Sequence, residues 1–188
     1  MDGLTALDRA ASDFLDRAER ITADQWSVPN VCGHWTTTKL MSHVLNGCYM
    51  TSALLYGATR EEANDLELVP VGDDVVERLR AALADHTAAF SQPGVLDRML
   101  DHPNGPMLAK YLLGYRTVDL AAHAWDLSRS LGFDEHLDPG AVEFCWAFLQ
   151  PLVPVIAGIG LFGQGPSGAV PESAPLQDRM LDLTGRRP

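Results

Sequence analysis

The amino-acid sequence predicts an all-α protein built on a four-helix bundle, with extra short helices and a C-terminal tail. Apolar residues recur at the spacing of an α-helix in several long segments. Glycine and proline punctuate the chain between those segments, and no stretch shows the sustained alternation of a strand or an internal repeat. A chain of this length, 188 residues, is expected to form a single domain over residues 1–188.

The first two helices are predicted in the N-terminal third. The first covers residues 3–21, where polar residues separate an apolar stripe formed by Leu4, Leu7, Ala11, Phe14, Leu15 and Ala18. A linker follows over residues 22–35. Thr36 or Thr37 is the expected N-cap of the second helix, because either hydroxyl can accept a hydrogen bond from the first turn. Gly57 is expected to end this helix.

The third and fourth helices are predicted in the middle of the chain. The third covers residues 73–91, with an apolar stripe of Val75, Val76, Leu79, Leu83, His86 and Phe90. Residues 95–106 are polar and rich in turn-forming residues. The fourth helix is expected from about Met107 to Leu131, with Gly132 marking its end.

The remaining elements lie towards the C-terminus. A fifth helix is expected over residues 139–159, kinked at Pro151 and Pro154. Residues 163–171 are expected to form a loop, and a last short helix is expected over residues 175–185. The fifth helix and the tail can either cover the bundle or form the interface of a homodimer, and the sequence leaves both open.

Composition and charge exclude several classes of function. The formal net charge of −11 argues against binding to nucleic acid or to an anionic membrane, because both need clustered Lys and Arg. The three cysteines contain no C-x-x-C pair, which favours free thiols in a reducing cytoplasm. No signal peptide is evident, and the most apolar segment, residues 149–162, is too short and broken to span a bilayer. We therefore expect a cytoplasmic protein.

A candidate metal site is predicted from two of the helices. Asp119 and His123 lie four residues apart, so on a helix their carboxylate and imidazole share one face. Such a pair can chelate a divalent metal. His43 on the second helix is the candidate third ligand, and Gly47, one turn later, would leave room for a metal and its exogenous ligand. Three ligands leave coordination positions open, as catalytic metal sites do.

Spacing alone also allows simpler interpretations of these residues. Asp119 and His123 can form only a helix ion pair, and a single histidine such as His43 is more often a surface or core residue than a ligand. Asp126 can accept a hydrogen bond from His123, or pair instead with polar side chains further along its own helix. The residues themselves leave these alternatives open.

Three further residues are candidates for catalysis. Arg116, one turn before Asp119, can bind a substrate carboxylate through its fork of donors, or can be a solvated arginine on the helix face. Tyr115 lies beside it and can help to orient a substrate. His86 can line the pocket or shuttle protons, although a histidine in an apolar stripe is more often a hydrogen-bonded core residue.

Three segments carry a resemblance to a known family. Residues 32–43 read CGHWTTTKLMSH, and residues 119–132 read DLAAHAWDLSRSLG. They resemble the patterns C-x-G-W-T-v-x-d-L-v-x-H and D-l-x-x-H-x-W-D-L-a-r-a-x-G of the mycothiol-dependent maleylpyruvate isomerase family, one of the DinB-like metal-binding bundles. The tail, VPESAPLQDR at residues 170–179 and LTGRRP at residues 183–188, is similar to the end of one uncharacterised branch of that family.

The resemblance implies a DinB-like four-helix core that holds a divalent metal, often zinc or nickel. Carried over residue by residue, the ligands are His43, Asp119 and His123. The characterised isomerase has a glutamate as its acidic ligand, and the shorter Asp119 can shift the metal preference. His34 replaces the family's glycine before the tryptophan, and Cys48 stands at an Asn-like position. The isomerase also carries an additional C-terminal domain that this chain is expected to lack.

The function implied by the resemblance is that of a metal-dependent isomerase or transferase linked to a thiol such as mycothiol. A small organic molecule is the expected substrate. A metal-water hydrolase or lyase on the same site is an alternative, as is a non-catalytic bundle that binds a small molecule. Two histidines and one carboxylate also suit a ferrous oxygenase, but nothing else in the sequence points to oxygen chemistry.

Overall fold

The computed structural model describes residues 1–65, 72, 74–159, 162 and 165–188. Its helices are α1 (Gly3–Ala18), α2 (Thr37–Tyr56), α3 (Arg60–Asn64), α4 (Val75–Phe90), α5 (Ala109–Leu131), α6 (Pro139–Leu149), α7 (Ile156–Ile159) and α8 (Leu176–Leu183). Short 3-10 turns cover Ala23–Gln25, Val95–Asp97 and Gln150–Leu152. Two strands, β1 (Met99–Leu100) and β2 (Met107–Leu108), form an antiparallel pair before α5.

The bundle consists of α1, α2, α4 and α5. Helix α1 packs against α5 and α4, while α2 packs against α4 and α5, so each helix contacts two others. Helix α6 packs on α1 and α5, and α8 packs on α6. The interior is filled by fully buried side chains that include Leu7, Phe14, Leu40, Leu79, Phe90 and Leu120. The all-α four-helix bundle predicted from the sequence is confirmed.

The ends of the site helices follow their local sequence. Thr36 is the N-cap of α2, where its hydroxyl accepts a hydrogen bond from the Lys39 amide at 3.3 Å. Gly57 ends α2 and Gly132 ends α5, with φ of 107° and 72°, a region that glycine reaches without strain. These ends agree with the prediction. They determine how far α2 and α5 run past each other.

Several boundaries differ from the prediction for identifiable reasons. The first helix ends at Ala18, short of residue 21. Helix α5 begins at Ala109, because Met107 and Leu108 pair with β1 instead. The expected fifth helix is interrupted after Leu149, where Pro151 cannot supply an amide hydrogen and a 3-10 turn follows. The short helix α3 was not predicted. Asp73, the expected start of the third helix, lies outside the described residues.

Along the part of the chain that the structure describes, no helix combines the length and the apolar character needed to cross a membrane.

Candidate metal centre

Helices α2 and α5 bring His43, Asp119 and His123 together. The Oδ1 atom of Asp119 lies 3.2 Å from Nε2 of His43 and 3.4 Å from Nε2 of His123. The two imidazole rings meet edge to face, with 5.0 Å between their centroids. One potential ligand atom from each residue lies within 4.8 Å of the other two. The three candidate ligands named from the sequence therefore converge on one point.

The orientation of His123 is held from behind by Asp126. Nδ1 of His123 lies 2.8 Å from Oδ2 of Asp126, one turn further along α5. A neutral His123 that donates from Nδ1 presents the lone pair of Nε2 to Asp119. Two acceptors that face each other at 3.4 Å need a cation between them, either a proton or a metal ion. The donor set therefore fits a divalent ion, and a carboxylate behind a ligating histidine is common in metal sites.

Asp119 is held ionised by its neighbours. Burial of its carboxyl group opposes ionisation, but the Arg116 guanidinium and His123 outweigh burial and hold the pKa of Asp119 well below its usual value. Nη1 of Arg116 donates to Oδ2 of Asp119 at 2.8 Å, which leaves Oδ1 turned towards the two histidines. The carboxylate is thus charged and aimed at the point where the three side chains converge.

Arg116 occupies the space that Gly47 leaves on α2. A Cβ atom built on Gly47 would lie 2.5 Å from Nη1 and 2.9 Å from Cζ of Arg116. The sequence suggested that this glycine makes room for a metal and its ligand, but the space is filled by the guanidinium. Arg116 is buried, and its Nη2 lies 3.4 Å from the Val44 carbonyl oxygen and 3.6 Å from Sγ of Cys48.

This arrangement corrects one of the two interpretations of Arg116 made from the sequence, because the residue is buried and is not a solvated arginine on the helix face. Its hydrogen bond to Oδ2 holds the Asp119 carboxylate in place. A role in binding a substrate stays a prediction, since Arg116 also lines the cavities described below.

A second arginine, Arg186, reaches the centre from the C-terminal segment. Its Nη2 donates to Oδ2 of Asp126 at 2.7 Å and its Nε donates to Oδ1 at 3.2 Å. Asp126 is fully buried, and burial alone would raise its pKa. The hydrogen bond from His123 and the charge of Arg186 outweigh burial, so the pKa of Asp126 lies below its ordinary value. The sequence allowed Asp126 to bond either to His123 or to polar side chains further along its own helix, and the structure shows the contact with His123. Sequence reasoning missed Arg186, which no helical spacing connects to Asp126.

Trp35 packs its ring against both candidate histidine ligands. Its centroid lies 4.9 Å from that of His43 and 5.9 Å from that of His123. The loop that carries it is pinned by an antiparallel bridge between Pro29 and Thr36. The Trp35 ring packs against the hydrophobic core and also contributes to the cavity wall described next.

The convergent side chains form part of the wall of a cavity of about 670 Å³. Residues 184–187 close one side of it, and the mainly apolar lining includes Trp35, Met50, Met107, Leu112, Tyr115, Ala122, Trp125 and Phe162. A smaller cavity of about 380 Å³ lies beside it, and its lining includes Lys39, Ser42, Asn46 and Asn64. Trp35, His43, Met50 and Arg116 line both cavities. A volume of this size suits a small organic ligand.

Comparison with known proteins identifies the family. The model of the mycothiol maleylpyruvate isomerase N-terminal domain matches residues 7–128, which is more than half of the chain. The chain belongs to this family. The matched region contains His43, Asp119 and His123 but ends well before Arg186. The family suspected from the sequence motifs is confirmed.

Relatives and solved structures agree with this membership. Two uncharacterized proteins from two strains of Mycobacterium tuberculosis are each 32% identical over 189 residues, which cover 99% of this chain and 98% of the relative. The crystal structure of the mycothiol-dependent maleylpyruvate isomerase superposes with a TM-score of 0.61 at 15% identity, over 78% of this chain and 66% of that one. Its histidine-to-alanine mutant gives 0.65 at 14% identity, over 87% and 71%. This likeness shows the fold.

The other two candidates for catalysis are Tyr115 and His86. They lie in different environments. Tyr115 lines the larger cavity, where its ring meets Phe148 edge to face at 5.1 Å and stacks on Phe162 at 6.2 Å. His86 is fully buried on α4, edge to face with Phe90, and is not among the described residues that line the cavity. The expectation that His86 lines the pocket is therefore corrected: its stripe faces the interior of the bundle.

Two cysteines near the centre are poor nucleophiles. Burial raises the pKa of the Cys48 thiol, and Cys48 fills the core beside Arg116. Cys32 lines the larger cavity and lies close to His123 and Asp126. Burial and the charge of Asp126 raise its pKa to about 11. Both shifts favour the protonated thiol over the thiolate.

Proposed function

We propose that this protein is a divalent-metal-dependent enzyme with His43, Asp119 and His123 as the metal ligands. It acts on a small organic molecule with the help of a low-molecular-weight thiol of the mycothiol type, in an isomerase or transferase reaction. The observation that carries the proposal is the convergence of the three ligand atoms within 4.8 Å at the wall of a 670 Å³ cavity. Such a set leaves coordination positions open for an exogenous ligand.

Zinc or nickel is the proposed ion. Imidazole nitrogen suits both metals, and one carboxylate beside two imidazoles is compatible with either. When bound, the ion would supply Lewis acidity, which stabilises a thiolate at neutral pH and polarises a carbonyl group. Asp126 keeps His123 turned towards the ion, and Arg116 keeps Oδ1 of Asp119 turned towards it.

The two cavities support a reaction with two reactants. Both cavities include His43 in their walls, so a molecule in either one lies next to the proposed ion. The larger cavity is mainly apolar, and the phenol of Tyr115 in its wall can orient a substrate by hydrogen bonding. Family membership supports the assignment of the thiol, because the matching model describes the N-terminal domain of an isomerase named for mycothiol.

The metal is tested first, by elemental analysis of protein purified without chelator. The wild-type protein is expected to carry zinc or nickel close to one equivalent per chain, and the His43→Ala and His123→Ala variants are expected to lose it. His136→Ala is the matched control, since this histidine is exposed and paired only with Asp134 among the described residues. A wild-type protein that takes up neither metal, even after incubation with each, contradicts the proposal.

The thiol is tested on the metal-loaded protein by isothermal titration with mycothiol. Binding that disappears in the His43→Ala variant supports the thiol-linked class. Absence of mycothiol binding, together with metal-dependent turnover of ester or amide substrates, would favour the metal-water hydrolase instead. Retention of small-molecule binding by both histidine variants would favour a non-catalytic binding protein.

A further inference from the structure

We infer that Arg186 is a positioning residue of the metal centre, which reaches His123 through Asp126 and strengthens metal binding without touching the ion. This inference rests on the proposed metal site. It assigns a role to the C-terminal segment, which lies outside the region matched by the family model.

The contacts form a continuous chain from the tail to the ligand. The guanidinium of Arg186 grips Asp126 with two hydrogen bonds, Nη2 to Oδ2 at 2.7 Å and Nε to Oδ1 at 3.2 Å. The same Oδ2 atom lies 2.8 Å from Nδ1 of His123. A fork of two donors onto both carboxylate oxygens fixes the plane of the carboxylate as well as its position. The plane of the Asp126 carboxylate in turn sets the direction of the His123 ring.

Burial makes these contacts matter energetically. Asp126 is fully buried and the Arg186 side chain is only 14% exposed, so water cannot easily replace either partner. A buried carboxylate that loses one hydrogen-bond partner is destabilised by its incomplete solvation, and it rotates towards other donors. Nδ1 of His123 faces this cluster, 2.8 Å from Oδ2 of Asp126 and 3.5 Å from Nη2 of Arg186. Because the contact with Asp126 is the shorter one, a turn of the Asp126 carboxylate would turn the imidazole too.

The segment that carries Arg186 is anchored independently of the centre. Helix α8 buries Met180 and Leu181, and it packs on α6. After α8, the amide of Gly185 bonds to the Asp182 carbonyl and the amide of Arg186 bonds to the Leu181 carbonyl. Gly185 has a φ of 79°, which allows the chain to turn back towards the cavity. Replacing the Arg186 side chain therefore leaves the backbone path intact.

The first test compares zinc affinities, measured by competition with a chromogenic chelator. Loss of an outer partner of a ligating histidine typically weakens metal binding roughly 10–100-fold, and we expect Asp126→Asn to fall in this range. Arg186→Gln, which acts one step further out, is expected to weaken binding about 10-fold. Arg179→Gln is the matched control: this arginine on α8 packs over the Trp146 ring at 4.4 Å from its centroid, and it is not among the described residues that line either cavity.

A double variant tests whether Arg186 acts through Asp126. If it does, Arg186→Gln adds no further loss of zinc affinity in an Asp126→Ala background, because alanine removes both oxygens that join Arg186 to His123. Independent, additive losses would overturn the inference. The visible absorption spectrum of the Co²⁺-substituted protein gives a second readout, and it should shift in Arg186→Gln but not in Arg179→Gln. A spectral shift reports ligand geometry, which a general loss of stability would not change.

The outcomes separate this inference from the proposed function. If the wild-type protein binds zinc and Arg186→Gln binds it equally well with an unchanged Co²⁺ spectrum, Arg186 has no positioning role and the metal site stands. If the wild-type protein binds no metal, both fail. Arg186→Lys keeps the charge but not the fork, so an intermediate affinity supports the geometric argument even if Arg186→Gln proves hard to fold.

Discussion

Helices α4 and α5 each carry a buried histidine, and the two have opposite surroundings. His86 on α4 has both ring nitrogens buried, and neither has a hydrogen-bond partner among the described residues. His123 on α5 has one nitrogen facing Asp126 and the other facing Asp119. Burial, reinforced by the charge of Arg116, lowers the pKa of His86 to about 3. Burial acts in the same direction on His123, but its two carboxylates outweigh it and raise the pKa.

The difference shows that burial alone does not set the pKa of a histidine, because the neighbouring charges decide the direction of the shift. His86 lies at the same kind of stripe position as its apolar neighbours and behaves as a neutral part of the core. His123 is surrounded by acidic groups that are themselves held in place by arginines. The two ionised carboxylates make the surroundings of His123 negative, and the proposed ion would neutralise this charge.

The largest expected effect is a loss of zinc affinity when His123 is replaced, in contrast to the replacement of His86. His123→Ala should weaken zinc binding by more than about 100-fold, beyond the range typical of an outer partner. His86→Leu should leave zinc affinity unchanged, because its side chain lies in the core away from the cavity. Chelator competition measures both. A large loss of zinc affinity in His86→Leu would show that His86 also supports the metal site, contrary to this prediction.

The second effect is on stability in acid. His86 has a pKa of about 3 in the folded protein, below its ordinary value of 6.5, so the unfolded state binds more protons between these values. This group therefore destabilises the fold progressively as the pH falls from about 6.5 towards 3, with a slope of at most about 1.4 kcal/mol per pH unit. Above pH 6.5 it contributes no pH dependence.

Urea unfolding of the metal-free protein at several pH values measures this effect. His86→Leu should flatten the profile between about pH 6.5 and 4 relative to the wild type. It should also raise the free energy of unfolding at pH 7, because two unpaired polar atoms leave the core. Parallel profiles for the two proteins would mean that His86 is not held neutral by burial.

A smaller effect is expected from Gly47→Ala on α2. This variant disturbs the surroundings of His123, because it displaces Arg116 of α5, and it leaves the His86 side chain unchanged. The added Cβ would meet the Arg116 guanidinium at 2.5 Å and push it away from Asp119. Overpacking of this kind costs about 1–3 kcal/mol of stability, and zinc affinity should fall as Asp119 loses its support. Gly158→Ala is a matched control in a helix, because its Cβ would meet open space. Equal thermal stability and zinc affinity in Gly47→Ala and Gly158→Ala would show that the close approach is tolerated.

Much of the fold and two of the three convergent candidate ligands could be predicted from local sequence. The helical spacing of apolar residues located the bundle helices, and the four-residue separation of Asp119 and His123 placed both on one face of α5. His43 needed the family resemblance in addition, because spacing within α2 says nothing about which helix it faces. The short strands β1 and β2 escaped prediction, since two residues are too few to show an alternation.

The supporting residues could not be predicted in the same way. Arg186 is 60 residues from Asp126 in the sequence, and only the packing of α8 on α6 brings it to the centre. The role of Gly47 depends on a side chain from another helix, and so does the choice between a solvated and a buried Arg116. These features arise from contacts between distant segments, which a periodic pattern does not encode.

The two cavities that share His43 and Arg116 in their walls have a consequence for enzyme kinetics. With one reactant on each side of the proposed ion, both can be present before any bond changes, and neither must leave for the other to enter. Double-reciprocal plots of initial rate at several fixed concentrations of the second reactant would then intersect. A single shared chamber with a covalent enzyme intermediate would instead produce the parallel lines of a ping-pong scheme.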